Sequence, residues 1–388
     1  MNNIYMDHAA TTPAFPEVLK VMEEYFTEKY GNPSSIHEGG QNAARAIKNS
    51  RKKIADFINA EDDQEIVFCS SGTEADNLAI KGVALALKDK GKHIITSKIE
   101  HPAVLKSCEY LENHHDFTVT YLDVDKNGFI NPKDVKEAIN SDTILISIMM
   151  VNNEIGTVEP IKEIGKIAER NNVYFHTDAV QAAGHLNIDV SDLKVNLLTL
   201  SGHKFNGPKG IGALYVQNGV RLISQISGGP HENHRRASTE NVPAIVGMGK
   251  AAEITQKKMK KRNKNLKKLR DKLISGIEKN IDNVYLNGPR KENRINNNVN
   301  FSFKYVSGES LLINLDMNGV AAASGSACAS GTIESSHVLK AIGLSSDLAE
   351  SSLRLTLGEN NGIEDINFLI ELLPGVIQKM RNMSPKCD

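Results

Sequence analysis

The feature that most constrains this chain is an alternation, from residue 65 onward, between short apolar runs and longer amphipathic stretches. The strand predictions cover residues 65–68, 93–96, 118–122, 143–150, 173–176, 196–200 and 213–216, and the helix predictions cover 73–88, 102–113, 132–140 and 161–170. Strands that are apolar along their whole length are buried on both faces. The pattern therefore predicts an α/β fold in which a mostly parallel sheet is covered by helices.

The length of the chain allows more than one hydrophobic core, since it has 388 residues. A long helical segment with two basic runs follows residue 242, and shorter strands and helices resume beyond residue 284. We predict a large domain over residues 15–258 and a smaller α+β domain formed by residues 1–14 and 259–388. The basic runs are interpreted as a solvated helix face, with an acidic or RNA partner as the alternative.

Composition restricts the class of function. A net charge of -1 provides no overall field that would attract nucleic acid or a membrane surface. There is no opening apolar run with a basic flank and no apolar stretch of about 18 residues, so neither a signal peptide nor a membrane span is predicted. The four cysteines, Cys69, Cys108, Cys328 and Cys387, are widely spaced, which favours a reducing, cytoplasmic compartment.

Polar residues follow several of the predicted strands. Ligands of parallel sheets bind at the carboxyl ends of the strands, so these positions are the candidates for a functional site. Lys204 follows the run 196–200, and a buried lysine is costly unless it has a chemical partner. Pyridoxal phosphate would be such a partner, because a lysine amine forms a Schiff base with its carbonyl group. The alternative is a lysine in a Gly/Pro-rich surface loop, and this stretch alone leaves both possibilities open.

The other strand ends carry groups that suit the same cofactor. Gly72 and Thr73 stand where a strand turns into a helix, and helix N-termini favour phosphate, although a simple N-cap is the alternative. Ser201 and His203 would add phosphate donors if the strand ends converge. Asp178 could pair with a protonated pyridine nitrogen or cap a helix.

Three further residues are candidates on their chemistry. His101 could stack on a ring and move protons near neutral pH, although a lone histidine is more often structural. Cys328 lies in a run of small residues with two glycines, which favours a reactive over a structural cysteine. Arg354 interrupts an apolar strand and needs an anionic partner, either a substrate carboxylate or an internal Asp or Glu.

Two patterns are set aside. The segment 123–128 resembles the start of a calcium loop, but Asp134 stands where the bidentate Glu is expected. His231 and His234 have no third ligand nearby, so no metal site is predicted.

Together these segments resemble the NifS/IscS-type cysteine desulfurases, within the class V aminotransferase family of pyridoxal-phosphate enzymes. The matches run in order along nearly the whole chain, at residues 6–12 (MDHAATT), 31–35 (GNPSS), 71–75 (SGTEA), 100–105 (EHPAVL), 152–157 (NNEIGT), 178–181 (DAVQ), 201–204 (SGHK), 235–241 (RRASTEN), 324–328 (SGSAC) and 336–339 (SHVL). So many ordered matches make a chance resemblance implausible. The resemblance implies the transferase fold of type I, pyridoxal 5'-phosphate as the cofactor, and a homodimer.

Carried over by position, the resemblance implies a role for each candidate. Lys204 would bind the cofactor covalently, and Asp178 would pair with the ring nitrogen. The remaining cofactor contacts would come from Gln181 at the ring hydroxyl, His101 on the ring face, and Gly72, Thr73, Ser201 and His203 at the phosphate, with Thr239 reaching in from the other subunit. Asn153, which also counts among the cofactor contacts, would bind the substrate carboxylate together with Arg354.

The implied activity is that of a cysteine desulfurase, which takes sulfur from L-cysteine and leaves L-alanine. Cys328, in a loop over about residues 321–335, would carry the sulfur as a persulfide to an acceptor such as an iron–sulfur scaffold or a tRNA thiolation enzyme. Two residues depart from the family pattern, since Ser238 stands where Gly is usual and Ser335 where Pro is usual. The alternatives are a selenocysteine lyase or aminotransferase on the same fold, and a non-catalytic assembly scaffold.

Overall fold

A computed structural model describes residues 4–324 and 335–383 of the chain. Its strands are β1 (Ile4–Tyr5), β2 (Ile66–Cys69), β3 (His93–Ser97), β4 (Thr118–Leu122), β5 (Thr143–Ser147), β6 (Tyr174–Asp178), β7 (Leu197–Ser201), β8 (Gly212–Val216), β9 (Val284–Leu286), β10 (Asn298–Phe303), β11 (Val320–Ala321) and β12 (Ser352–Thr356). Each of the seven predicted strands is present. β5 ends three residues before the predicted end at 150. Beyond it the Met150 N–H still donates to Asp178 in β6 (2.8 Å), whereas the Met149 N–H donates to the Glu100 side chain (3.0 Å).

Helices separate most of these strands. They are α1 (Pro16–Thr27), α2 (Glu38–Phe57), α3 (Gly72–Leu87), α4 (Pro102–His115), α5 (Pro132–Ala138), α6 (Ile161–Arg170), α7 (Val190–Leu193), α8 (Val242–Asn280), α9 (Gly308–Met317), α10 (His337–Ala341), α11 (Ser346–Glu350) and α12 (Ile363–Asn382). None of the helices in residues 4–324 and 335–383 combines the length and the apolar character that a membrane crossing requires.

The large sheet has seven strands in the order β2-β8-β7-β6-β5-β3-β4. All neighbours are parallel except β8, which runs antiparallel to both β2 and β7. Successive side chains of one strand enter different apolar clusters, as Ile94 and Ile95 do, because they point to opposite faces of the sheet. Both faces are therefore covered, which confirms the predicted α/β architecture with a mostly parallel sheet.

Helix α8 contributes to two separate hydrophobic clusters. Its first half packs on the large sheet through side chains such as Ile245 and Met248. Its second half, with Leu266 and Leu273, packs on a three-stranded antiparallel sheet in the order β12-β10-β9, together with α12 and Met6. The predicted domain boundary at residue 258 falls inside this helix, and the domain limits stay a prediction.

Candidate active site

A cavity of about 220 Å³ lies at the carboxyl ends of β5, β6 and β7. It brings together most of the predicted site residues, namely Gly72, Thr73, His101, Asn153, Asp178, Gln181, Ser201, His203, Lys204 and Arg354. Parallel strands end at one edge of a sheet, which explains why residues between 72 and 204 meet here, and Arg354 joins them from β12 of the three-stranded sheet.

Lys204 ends a single 3₁₀ turn (Gly202–Lys204) that follows β7. Its Nζ donates hydrogen bonds to the main-chain carbonyl oxygens of Ala9 (2.5 Å) and Ala10 (2.9 Å). The Gln181 Nε2 donates to the same Ala9 oxygen at 2.9 Å. The N-terminal segment therefore forms one wall of the cavity and holds the lysine amine in place.

Asp178 is the last residue of β6 and is 6% exposed. Its Oδ1 accepts a hydrogen bond from the Val180 N–H at 2.8 Å. Burial raises the pKa of this carboxyl, while His101, the Val180 N–H and Lys204 act in the opposite direction. The backbone therefore orients the Asp178 carboxylate for pairing with a cationic group in the cavity.

His101 is the N-cap of α4, and Pro102 occupies the first helical position. The Nδ1 atom of His101 accepts a hydrogen bond from the Ala103 N–H at 3.1 Å, so the proton of the neutral ring resides on Nε2. Burial lowers the pKa of His101, Lys204 and His337 lower it further, and Asp178 opposes them. The imidazole is consequently neutral at pH 7 and able to take up a proton.

Helix α3 begins at the cavity. Ser71 is its N-cap and accepts a hydrogen bond from the Glu74 N–H at 3.1 Å. The same segment also lines the cavity, so helix capping does not exclude a binding role. A Cβ atom on Gly72 would lie 3.0 Å from Val180 Cγ2 and 3.3 Å from Ser201 Cβ. The helix start is therefore packed closely against the wall, and the first N–H groups of a helix have no partner within the helix.

Arg354 lies in the middle of β12, and its side chain is 2% exposed. The guanidinium donates to Asp7 Oδ1 (2.9 Å) through Nη2 and to the main-chain oxygen of Asn153 (3.2 Å) through Nη1, while Nε has no hydrogen-bond partner. An internal acid is thus one partner of this arginine. Arg354 also lines the cavity, so its positive charge is available to a second anion there.

Among the described residues, one predicted site residue lies elsewhere. Thr239 does not line this cavity and instead lines a second depression that contains Phe68 and Arg236. The neighbouring Ser238 has φ of +101°, which is the left-handed region that glycine tolerates best. Cys328 lies outside the described residues.

Sequence reasoning missed parts of the cavity wall. The carbonyl groups of Ala9 and Ala10 belong to the backbone and carry no side-chain signal. Asp76 also lines the cavity and is 1% exposed. Its position one helical turn after Gly72 was the available signal, because residues four apart share a helix face.

Comparison with known proteins defines the class of this chain. The family model described as Aminotransferase class-V matches residues 4–369. The chain belongs to this family.

Its relatives within the family are more specific. The chain is 53% identical over 382 residues to "Cysteine desulfurase IscS" of Dictyoglomus turgidum, covering 98% of this chain and 96% of the relative. It is 54% identical to the protein of the same name from Methanosarcina thermophila, covering 98% of this chain and 94% of the relative. Among these class-V enzymes the chain therefore falls with the cysteine desulfurases of the NifS and IscS type, which confirms the family predicted from the motifs.

Solved structures agree with this placement. A "NIFS-LIKE PROTEIN" superposes with a TM-score of 0.89 at 33% identity, covering 98% of this chain and 99% of that structure. The structure titled "SspA in complex with cysteine" has a TM-score of 0.81 at 38% identity, covering 91% of this chain and 98% of that structure.

Proposed function

We propose that this chain is a pyridoxal-phosphate-dependent cysteine desulfurase, a sulfurtransferase that converts L-cysteine to L-alanine and holds the sulfur as a persulfide on Cys328. The observation that carries the proposal is the convergence of Lys204, Asp178 and His101 on one cavity. Membership of the cysteine desulfurases supports it, and so does the cysteine named with a structural neighbour.

The residues present fit the cofactor. Lys204 supplies the amine for the covalent link, and the buried Asp178 suits the ring nitrogen. Gly72, Thr73, Ser201 and His203 line the cavity at the N-terminus of α3 and after β7, and they would hold the phosphate. When bound, pyridoxal phosphate would supply an electron sink for the substrate.

The chain's own side chains then have distinct tasks. Arg354 and Asn153 would bind the carboxylate of cysteine, since both residues line the cavity and the guanidinium is positively charged. Lys204 would move the α-proton, with His101 as a neutral base beside it. Gln181, held by the Ala9 carbonyl, would contact the ring hydroxyl.

Cys328 would complete the reaction as a nucleophile. Its thiolate attacks the sulfur of the substrate, a sulfur–sulfur bond forms, and the carbon–sulfur bond breaks. The electron pair of the broken bond stays with the substrate, which takes up a proton and leaves as alanine. The persulfide would pass to an acceptor such as an iron–sulfur scaffold or a tRNA thiolation enzyme.

We also propose a homodimer in which Thr239 serves the partner's cavity. Its placement outside the cavity of its own chain supports this arrangement. Sedimentation of the wild type and mixing of inactive Lys204→Ala and Thr239→Ala chains test it, because mixed dimers would regain one complete site.

The central experiment compares wild type with Cys328→Ala, and Cys387→Ala serves as the matched cysteine control. Alanine and sulfide released from L-cysteine are measured together with the visible absorption of the cofactor. We expect Cys328→Ala to retain the absorption and lose turnover, and Cys387→Ala to behave as wild type. Continued alanine formation by Cys328→Ala would favour a selenocysteine lyase or aminotransferase, and a wild type that binds no cofactor would favour a non-catalytic scaffold.

A further inference from the structure

A second buried carboxyl group, Asp76, lies in the cavity beside Asp178. It projects from the first turns of α3 and is 1% exposed, and its Oδ1 has no hydrogen-bond partner. An ionised oxygen in that position would be buried without a donor, which is costly. The roles proposed above for the cavity residues leave Asp76 unassigned.

The surroundings of Asp76 and Asp178 favour the ionised carboxylate to different extents. Burial, Asp178 and Glu100 all raise the pKa of Asp76, and only a hydrogen bond from Thr199 opposes them. Asp178 is also buried, but His101, the Val180 N–H and Lys204 each favour its ionised form. Two neighbouring carboxyls in a buried site do not both ionise readily. Asp76 therefore keeps a proton, because fewer of its neighbours favour the ionised form than is the case for Asp178.

A series of hydrogen-bonded side chains next to Asp76 is compatible with a protonated Asp76. The Thr199 hydroxyl contacts Asp76 and lies 3.0 Å from His176 Nε2, and His176 Nδ1 lies 2.8 Å from Ser147 Oγ. Burial lowers the pKa of His176 to about 3, so the ring is neutral. It therefore has one donor nitrogen and one acceptor nitrogen.

The direction of these hydrogen bonds depends on where the proton resides. If Asp76 is protonated, it donates to Thr199, Thr199 donates to His176 Nε2, and the ring donates from Nδ1 to Ser147. If Asp76 is ionised, every bond reverses, and its Oδ1 stays an unpaired negative atom. The distance of 3.7 Å from His176 Nε2 is too long to supply the missing hydrogen bond.

We propose that Asp76 is a positioning residue that keeps a proton beside Asp178, so that Asp178 is the ionised member of the pair and the partner of the cofactor's ring nitrogen. The catalytic meaning of this assignment rests on the proposed function, because it places the ring at Asp178. The protonation of Asp76 itself does not require the cofactor.

The test uses infrared spectroscopy of the cofactor-free protein at pH 7, comparing wild type with Asp76→Asn. We expect the variant to lose intensity in the carbonyl stretch of protonated carboxyls and to keep the carboxylate bands. Glu159→Gln is the positive control, because burial raises the pKa of Glu159 to about 8 and its replacement should remove the same carbonyl intensity at pH 7. A loss of carboxylate intensity in Asp76→Asn would overturn the proposal.

Two further measurements keep the proposal testable if Asp76→Asn does not fold. Nitrogen-15 spectra of wild type should show His176 with its proton on Nδ1, and a proton on Nε2 would refute the direction of these hydrogen bonds. In Asp178→Asn, Asp76 should lose its proton at a pH at least half a unit lower than in wild type, because the neighbouring charge is gone. An unchanged midpoint would refute the coupling, whereas failure of the wild type to bind pyridoxal phosphate would refute only the proposed function.

Discussion

The ion pair between Arg354 and Asp7 leads to a prediction in which stability and substrate binding change in opposite directions. The guanidinium is almost fully buried, while the Asp7 side chain is 21% exposed. If Arg354 binds the carboxylate of cysteine, the substrate and Asp7 share one positive charge. Replacing Asp7 by Asn removes the competing charge and keeps an oxygen that can accept from Nη2.

The magnitudes follow from the geometry. Outright loss of one partner of a buried pair costs about 3–5 kcal/mol, and because the amide retains a hydrogen bond and Asp7 is partly hydrated, we expect a loss of about 1–2 kcal/mol in the free energy of unfolding. Two carboxylates on either side of one guanidinium are about 7 Å apart and repel by about 2 kcal/mol at an effective dielectric constant of about 20, less with salt. Relief of this repulsion corresponds to a KM for cysteine about 5- to 30-fold lower.

The assay is steady-state alanine formation together with urea unfolding followed by circular dichroism. Asp271→Asn is the matched control, since Asp271 pairs with the buried Arg270 at 2.7 Å and does not line the cavity. Because the Asp271 side chain is 48% exposed, this variant should lose less stability than Asp7→Asn and show no change in KM. A KM for Asp7→Asn that rises or stays unchanged, with a normal kcat, would refute the assignment of Arg354 to the substrate carboxylate.

Three other predictions concern single positions. Ser238→Gly should raise the free energy of unfolding by about 1 kcal/mol in urea titrations, because glycine relieves the φ of +101° at some cost in chain entropy, and a destabilised variant would contradict this. Gly72→Ala should weaken cofactor binding about tenfold in absorption titrations without unfolding the chain, because its methyl group would press on Val180 and Ser201; unchanged affinity would argue against a phosphate at this helix start. Burial raises the pKa of Glu159 from 4.5 to about 8, so the folded chain keeps a proton that the unfolded chain releases, and stability falls as pH rises between these values. Glu159→Gln should therefore gain more than about 1 kcal/mol relative to wild type between pH 5 and pH 8, and a constant difference would show that Glu159 is ionised when folded.

The strand and helix pattern was predictable because burial on both faces leaves a strong signal in the sequence. The reversed direction of β8 was not read from that signal, since an apolar run has no direction. The length of the connection indicates the direction, because only about ten residues join β7 to β8 and a parallel crossover needs a dozen or more. The antiparallel pairing follows from this short connection.

Within the candidate site, the expectation that ligands bind at the carboxyl ends of strands identified residues at or just after the ends of β6 and β7, such as Asp178 and Lys204. It did not find Asp7 as the partner of Arg354, because the two are 347 positions apart and meet only when the small sheet forms. Asp76 was missed for another reason. An acid in the first turns of a helix is common on electrostatic grounds alone, so its type gave no reason to inspect it.

Helix α8 has a consequence for how the chain unfolds. At 1.5 Å per residue its 39 residues form a rod of about 58 Å that buries side chains in both hydrophobic clusters. Melting either end exposes apolar surface of one cluster and removes a support from the helix on which the other depends. The two clusters should therefore melt together in one calorimetric transition, and proteolytic cleavage near residue 260 should destabilise both halves at once.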